Sequence, residues 1–130
     1  MTLVLDASVA FWACGAKARF EALDDDLVAP WLMWSECTSA LRSAVWRREI
    51  AAPEATAMLD LLERAPVEPR SDPALRPRAL QIATELGWAK TYDAEYVALA
   101  EILGTRLVTL DARLRRGADR LGVVVALDEL

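Results

Sequence analysis

Near the amino terminus an unbroken apolar run, Leu3–Val4–Leu5, meets a carboxylate at Asp6, and small and apolar residues resume at once through Trp12. A short continuous apolar run of this kind reads as a strand buried on both faces. The pattern returns near the other end, where Arg106 to Leu110 reads as a buried strand running into Asp111. Between the two, strand and helix periods alternate. A helix is expected from about Ser8, a second short one over Arg19 to Leu23, and a strand over Leu27 to Ala29 that stops at Pro30. Met33, Cys37, Ala40, Leu41 and Ala44 share one helical stripe, which predicts a helix from Leu32 to Arg48. Pro53 suits the first turn of the next helix, which carries Met58, Leu59, Leu61 and Leu62. Val67 to Pro69 is a short extended piece inside a proline-rich connector. Leu75 to Leu86 and Tyr92 to Leu103 both read as helices, closed by Gly87 and Gly104. Ala112 to Leu121 completes the helices, and Val123 to Ala126 is a last strand. Strands alternating with helices predict an α/β fold, a parallel sheet covered on both faces.

Composition narrows this picture. The chain has 130 residues, which fits one domain spanning 1–130. Hydrophobic residues make up 55% of it, and the mean hydropathy of +0.18 argues against disorder. No apolar run reaches the roughly 18 to 20 residues of a membrane helix. The amino-terminal stretch lacks a basic flank and is broken by Asp6, so a signal peptide is not expected and the cytoplasm is the expected location. Cys14 and Cys37 fit reduced core thiols. The absence of histidine removes imidazole bases and imidazole metal ligands from consideration. A net charge of −5 counts against a general nucleic-acid coat protein. It leaves room for an enzyme that meets nucleic acid through a local basic rim and a metal.

The acids carry the candidate chemistry. In open parallel sheets the functional crevice lies at the carboxyl ends of the strands. Asp6 and Asp111 each follow such a strand, so both are predicted at the same sheet edge. Either could equally be a helix N-cap. Glu36, in "MWSECTSAL", falls on the border of the buried helical stripe, where a solvated side chain is the local alternative. Asp93, in "KTYDAEYVALAE", sits in a first helical turn on the face of Val97 and Ala100; a favourable charge at the helix start is its local alternative. Should all four meet, repulsion must be relieved. Two carboxylates about 5 Å apart repel by about 3 kcal/mol at an effective dielectric of about 20. Either some acids protonate or a hard cation sits among them, and an oxygen-only set favours Mg²⁺ or Mn²⁺ over zinc.

With these residues in place the chain resembles the PIN-domain family, and within it the VapC-type toxins of bacterial toxin–antitoxin pairs. "LVLDASVA" resembles the first motif and carries Asp6. "WSECTSALRSAV" resembles the second and carries Glu36. "TYDAEYVALAEILGTRLVTLDARL" is the most specific segment and carries Asp93 and Asp111. The resemblance covers nearly the whole chain. It implies a three-layer α/β/α sandwich with a short central parallel sheet. It implies Asp6, Glu36, Asp93 and Asp111 as catalytic and metal-holding residues, with Asp111 the least uniform of the four and open to acting through water. It further implies Mg²⁺- or Mn²⁺-dependent endoribonuclease cleavage of structured RNA such as tRNA or ribosomal RNA, a small antitoxin as partner, and a homodimer. Ser8 and Thr109 are candidates for orienting Asp6 and Asp111; Ser8 could also cap the first helix, which is the preferred reading.

Several features have two readings. Arg42, Arg47 and Arg48 follow Glu36, and Arg113, Arg115 and Arg116 follow Asp111; each group is either solvated surface or a set of phosphate contacts. Lys90 is read mainly as a surface lysine. The five tryptophans are expected in the core, at its rim, or in a groove for an antitoxin helix or a dimer mate. Glu95 and the run Asp24 to Asp26 are read as solvated or capping. Competing functions are weaker. An aspartate-nucleophile phosphatase prefers a second acid two residues after the first, where this chain has Ser8. A phosphorelay receiver wants adjacent acids after its first strand and a lysine after its last; neither is present. A silent PIN-fold scaffold, or a nuclease of the same fold acting in RNA processing, remains the alternative.

Overall fold

The computed structural model describes all 130 residues. Five strands form one parallel sheet: β1 (Thr2–Leu5), β2 (Asp26–Ala29), β3 (Val67–Pro69), β4 (Arg106–Thr109) and β5 (Val124–Ala126). Their spatial order is β3-β2-β1-β4-β5. The chain builds one half of the sheet outward from β1, then returns to place β4 on the other side of β1. The switch point of the topology therefore lies between β1 and β4, where such sheets form their crevice. The register pairs Leu3 with Leu27 and Val4 with Leu107. Leu3, Val4 and Leu5 are buried because β1 is the central strand with helices over both faces. That is why its sequence is continuous rather than alternating.

Seven helices cover the sheet: α1 (Ala7–Ala13), α2 (Lys17–Ala22), α3 (Leu32–Trp46), α4 (Ala52–Glu63), α5 (Leu75–Leu86), α6 (Tyr92–Leu103) and α7 (Ala112–Gly117). α1 packs on α3 and α3 on α4, while α5 pairs with α6, which lies against β1 and β4. The result is the expected three-layer α/β/α sandwich around one apolar core. Local signals set most boundaries. Pro53 stands in the first turn of α4, and Gly87 and Gly104 close α5 and α6 in the left-handed region at φ 71° and 65°.

The differences from the sequence reading are confined to element ends. α3 stops at Trp46, two residues early, with Arg48 at φ 59° turning the chain. The single helix expected from Ala112 to Leu121 divides into α7 and a 3-10 turn over Asp119–Leu121. Gly117, a poor helix former, ends α7 there. β4 stops at Thr109, leaving Leu110 exposed at the sheet edge. A further 3-10 turn over Leu127–Glu129 has no apolar period to announce it.

Candidate active site

β1 ends on Asp6, whose carboxyl group is buried at the sheet edge with 5% exposure. It caps α1: Oδ1 accepts from the Val9 amide at 3.1 Å and from the Ser8 hydroxyl at 2.5 Å. Oδ2 accepts from the Thr109 hydroxyl at the tip of β4. The Thr109 oxygen accepts in turn from the Asp111 amide at 3.0 Å, and Ser8 Oγ accepts from the Leu110 amide at 3.0 Å. Two hydroxyls thus tie the tips of β1 and β4 together and aim Asp6. Ser8 is not a helix cap, contrary to the preferred reading of the sequence. Asp6 holds that position, which frees Ser8 to bridge to β4.

Asp111 caps α7 as Asp6 caps α1. Its Oδ1 accepts from the Arg113 and Leu114 amides at 2.9 and 3.4 Å, and the Arg113 guanidinium stands 3.7 Å away. The capping and functional readings of both aspartates are compatible, because capping engages Oδ1 and leaves Oδ2 without a helix-terminus partner.

Glu36 lies one turn into α3, half-buried, with Oε1 accepting from the Tyr96 hydroxyl of α6 at 2.5 Å. Asp93 lies in the first turn of α6. It is exposed rather than turned into the core. With Trp88, Asp111, Arg113 and Leu114 it lines a small cleft of about 160 Å³.

The four acids sense one another. Burial pushes the Asp6 carboxyl above its ordinary range, against hydrogen bonds from Ser8, Thr109 and Val9 that favour the charged form, and Asp111 pushes it further. Glu36 is raised by burial first, with Tyr96 opposing and Asp93, Asp6 and Glu95 adding repulsion. Partial burial also raises Asp93, reinforced by Asp111 and Asp6 and opposed by Arg113. Asp6, Asp93 and Asp111 thus lie within electrostatic reach at the β1–β4 edge, and Glu36 is within reach of Asp6 and Asp93. The grouping is looser than a tight knot: no three acidic or cysteine side chains are gathered closely enough to hold an ion directly between them. Capping duty on Asp6 and Asp111, and the Tyr96 tether on Glu36, hold these carboxylates apart.

Two participants escaped the sequence reading. Tyr96 carries a core-type signature and is 1% exposed, yet its hydroxyl orients Glu36. A buried tyrosine hydroxyl needs a partner, and that is the only signal it gives. Glu95, read as solvated, is half-buried and its charge reaches Glu36. The arginines divide. Arg47 follows Glu36 by eleven positions, about 16 Å along the helix at 1.5 Å per residue, and pairs with Glu49 at 2.7 Å. Arg42 lies over the Trp46 ring. Arg113 is at the acidic site, whereas Arg115 is engaged by Asp119 and Glu129. None of the five tryptophans is fully buried, and Trp31 and Trp46 are largely exposed. Trp12, Trp34 and Trp88 pack against the core from its rim, as expected of most of them, and Trp31 and Trp46 are left at the surface.

The PIN domain family model matches residues 3–120. The chain belongs to the PIN-domain family. Two relatives place this PIN domain in its VapC branch. It is 36% identical to a VapC ribonuclease of Mycobacterium bovis over 86% of this chain and 87% of that one. It is equally similar, over the same shares, to ribonuclease VapC9 of Mycobacterium tuberculosis. Its fold is similar to the crystal structure of PAE2754 from Pyrobaculum aerophilum, with a TM-score of 0.78 at 22% identity, covering 99% of this chain and 94% of that one. No helix of this PIN domain is long and apolar enough to cross a membrane. Its donor set suits a hard divalent ion: all oxygen, no imidazole, and three carboxyls made more basic by burial and each other.

Proposed function

We propose that this PIN domain is the toxin ribonuclease of a VapBC-type toxin–antitoxin pair and hydrolyses RNA phosphodiester bonds with the help of Mg²⁺ or Mn²⁺. The observation that carries this reading is geometric: Asp6 and Asp111 stand at the tips of β1 and β4, joined through the Thr109 hydroxyl, and Asp93 lines one small cleft with Asp111. The ribonuclease names of both mycobacterial relatives support the RNA substrate.

Each residue then has a role. Asp6, fixed by Ser8, Thr109 and the α1 amide, is the rigid anchor for the ion. Asp93 and Glu36 complete the negative site from α6 and α3, and Asp111 acts at its far side, directly or through water. A divalent ion held there supplies Lewis acidity, offsetting charge on the scissile phosphate and acidifying a water. Tyr96 keeps Glu36 aimed inward. Arg113, 3.7 Å from Asp111, is the candidate cation for a substrate phosphate. The substrate class is structured RNA of the tRNA or ribosomal type, and the setting is the cytoplasm. The partner is a small antitoxin, and the protein acts as a homodimer. The exposed rings of Trp31 and Trp46 and the apolar groove between α3 and α4, about 270 Å³, support such interfaces.

Purified protein free of antitoxin is expected to cut RNA with Mg²⁺ or Mn²⁺ and to stop with EDTA. Asp6→Asn, which keeps the cap on α1, should lose at least a hundredfold in rate while melting cooperatively. Wild-type cutting by Asp6→Asn would remove Asp6 from the mechanism. No cutting with either ion would favour a PIN-fold binding domain.

A further inference from the structure

A cleft of about 520 Å³ opens beside the acidic site, between α7 and the end of β5. It shares Thr109 and Asp111 with that site, and its volume lies in the range of small-ligand pockets, about 300–1,000 Å³. Its apolar floor comes from Leu110, Ala126 and Leu127. Leu110 is 48% exposed there, so its side chain is available to a ligand. Beyond the shared Asp111, three charged side chains line the cleft, and they are not equivalent. Arg115 is neutralised: its guanidinium is shared between Asp119 and Glu129, the latter at 2.8 Å. Arg116 and Asp128 are exposed and form no ion pair. The open cleft therefore offers an apolar platform with one free donor group and one free acceptor group.

We propose that this cleft is a base-recognition subsite that receives a guanine of single-stranded RNA next to the scissile phosphate. The inference rests on the nuclease reading and deepens it. A phosphate at the acids and a base in the adjoining cleft belong to one nucleotide or to neighbours, because both places share Asp111 and Thr109. RNA is read in sequence mostly where bases are unstacked, laid on flat side chains and hydrogen-bonded on their edges. Guanine fits the two free charges. Its O6 and N7 accept from an arginine fork, which matches Arg116. Its N1–H and N2–H donate together to a carboxylate, which matches Asp128. Adenine presents an amino donor where O6 would be, against the arginine. Cytosine and uracil lack the O6 and N7 pair that an arginine fork reads. A second phosphate here would be opposed by both Asp128 and Asp111, whereas a neutral base is not.

The test is binding of mononucleotides to the full chain in EDTA, followed by NMR shifts of the Leu110 and Leu127 methyls. GMP should bind at least tenfold more tightly than AMP, CMP or UMP. Asp128→Asn should bring the four within about threefold of one another, and Arg116→Ala should weaken GMP most. Both positions are exposed, so neither substitution threatens folding. Equal binding of all four nucleotides, or methyls unmoved by GMP, overturns the subsite. Because this readout needs no cleavage, it separates the two readings. GMP preference without RNA cutting would keep the subsite and sink the nuclease; indiscriminate cutting without GMP preference would do the reverse.

Discussion

Thr109 joins the two halves of the site through one hydroxyl, which donates to Asp6 and accepts from the Asp111 amide. It is fully buried, so its loss cannot be repaired by solvent. Thr109→Val keeps the shape and removes both bonds. We expect a stability cost of about 1–2 kcal/mol from the unpaired amide and carboxyl. The rate should fall about ten- to a hundredfold, as when a group orienting a ligand is removed. The acidic limb of the pH–rate profile should move upward, because Asp6 loses a bond that favours its charged form. Thr109→Ser should restore both rate and profile; a Val variant with an unshifted profile would reduce Thr109 to packing. At this scale much of the site was legible. Asp6 and Asp111 stand out because a buried strand running into a charge is physically odd. Glu36 and Asp93 were visible only through their spacing and the family resemblance, since each has an ordinary helical explanation. The partnership of Tyr96 with Glu36 joins residues 60 positions apart, and no local pattern encodes it.

Elements do double work here. The acids that end β1 and β4 also start α1 and α7, so the same geometry that satisfies helix termini delivers carboxylates to the sheet edge. Strand and helix identity could be read from apolar periods, but their exact ends could not. α7 breaks at Gly117, and the turn over Leu127–Glu129 is held by side chains rather than by a buried face. Glu129 Oε1 accepts from Arg115 at 2.8 Å and from the Ala126 amide at 2.7 Å. Arg115, then Ala126, lowers the Glu129 carboxyl from its ordinary value of 4.5 to about 2. A folded value below the ordinary one stabilises the turn at pH above about 4.5 and loses that effect as pH falls toward 2. Amide protection over residues 124–130 should therefore weaken between pH 5 and 3 in the wild type. Arg115→Ala should show the weakened state already at pH 7, with little further change on acidification. Equal protection in the two proteins at pH 7 would mean that the turn is held by its backbone alone.

Neither the strand order nor the location of its reversal can be read from periodicity, because both depend on long crossovers. The order β3-β2-β1-β4-β5 brings Asp6 and Asp111 onto neighbouring strands and lets α3 and α6 bring Glu36 and Asp93 to the same edge. Folding therefore concentrates negative charge in a chain already at −5, and the molecule bears the cost. Asp6, Glu36 and Asp93 all hold their protons more tightly than free carboxyls do. A raised folded value means that this contribution to stability is complete below the ordinary value, 3.8 for aspartate, and is lost as pH rises through the folded value. At pH 7 in EDTA, Asp93→Asn should accordingly melt above the wild type. The gain should be under about 1 kcal/mol, since Asp93 is exposed and screened. It should close as pH falls toward 3.8. Mg²⁺ should reverse the ranking. An ion that binds only the folded site adds about 2.7 kcal/mol at a hundred times its Kd. The wild type should gain most of that, and Asp93→Asn much less, so their melting temperatures should cross as Mg²⁺ is added. Parallel curves, with the variant ahead at every concentration, would put the stabilising ion somewhere other than the β1–β4 edge.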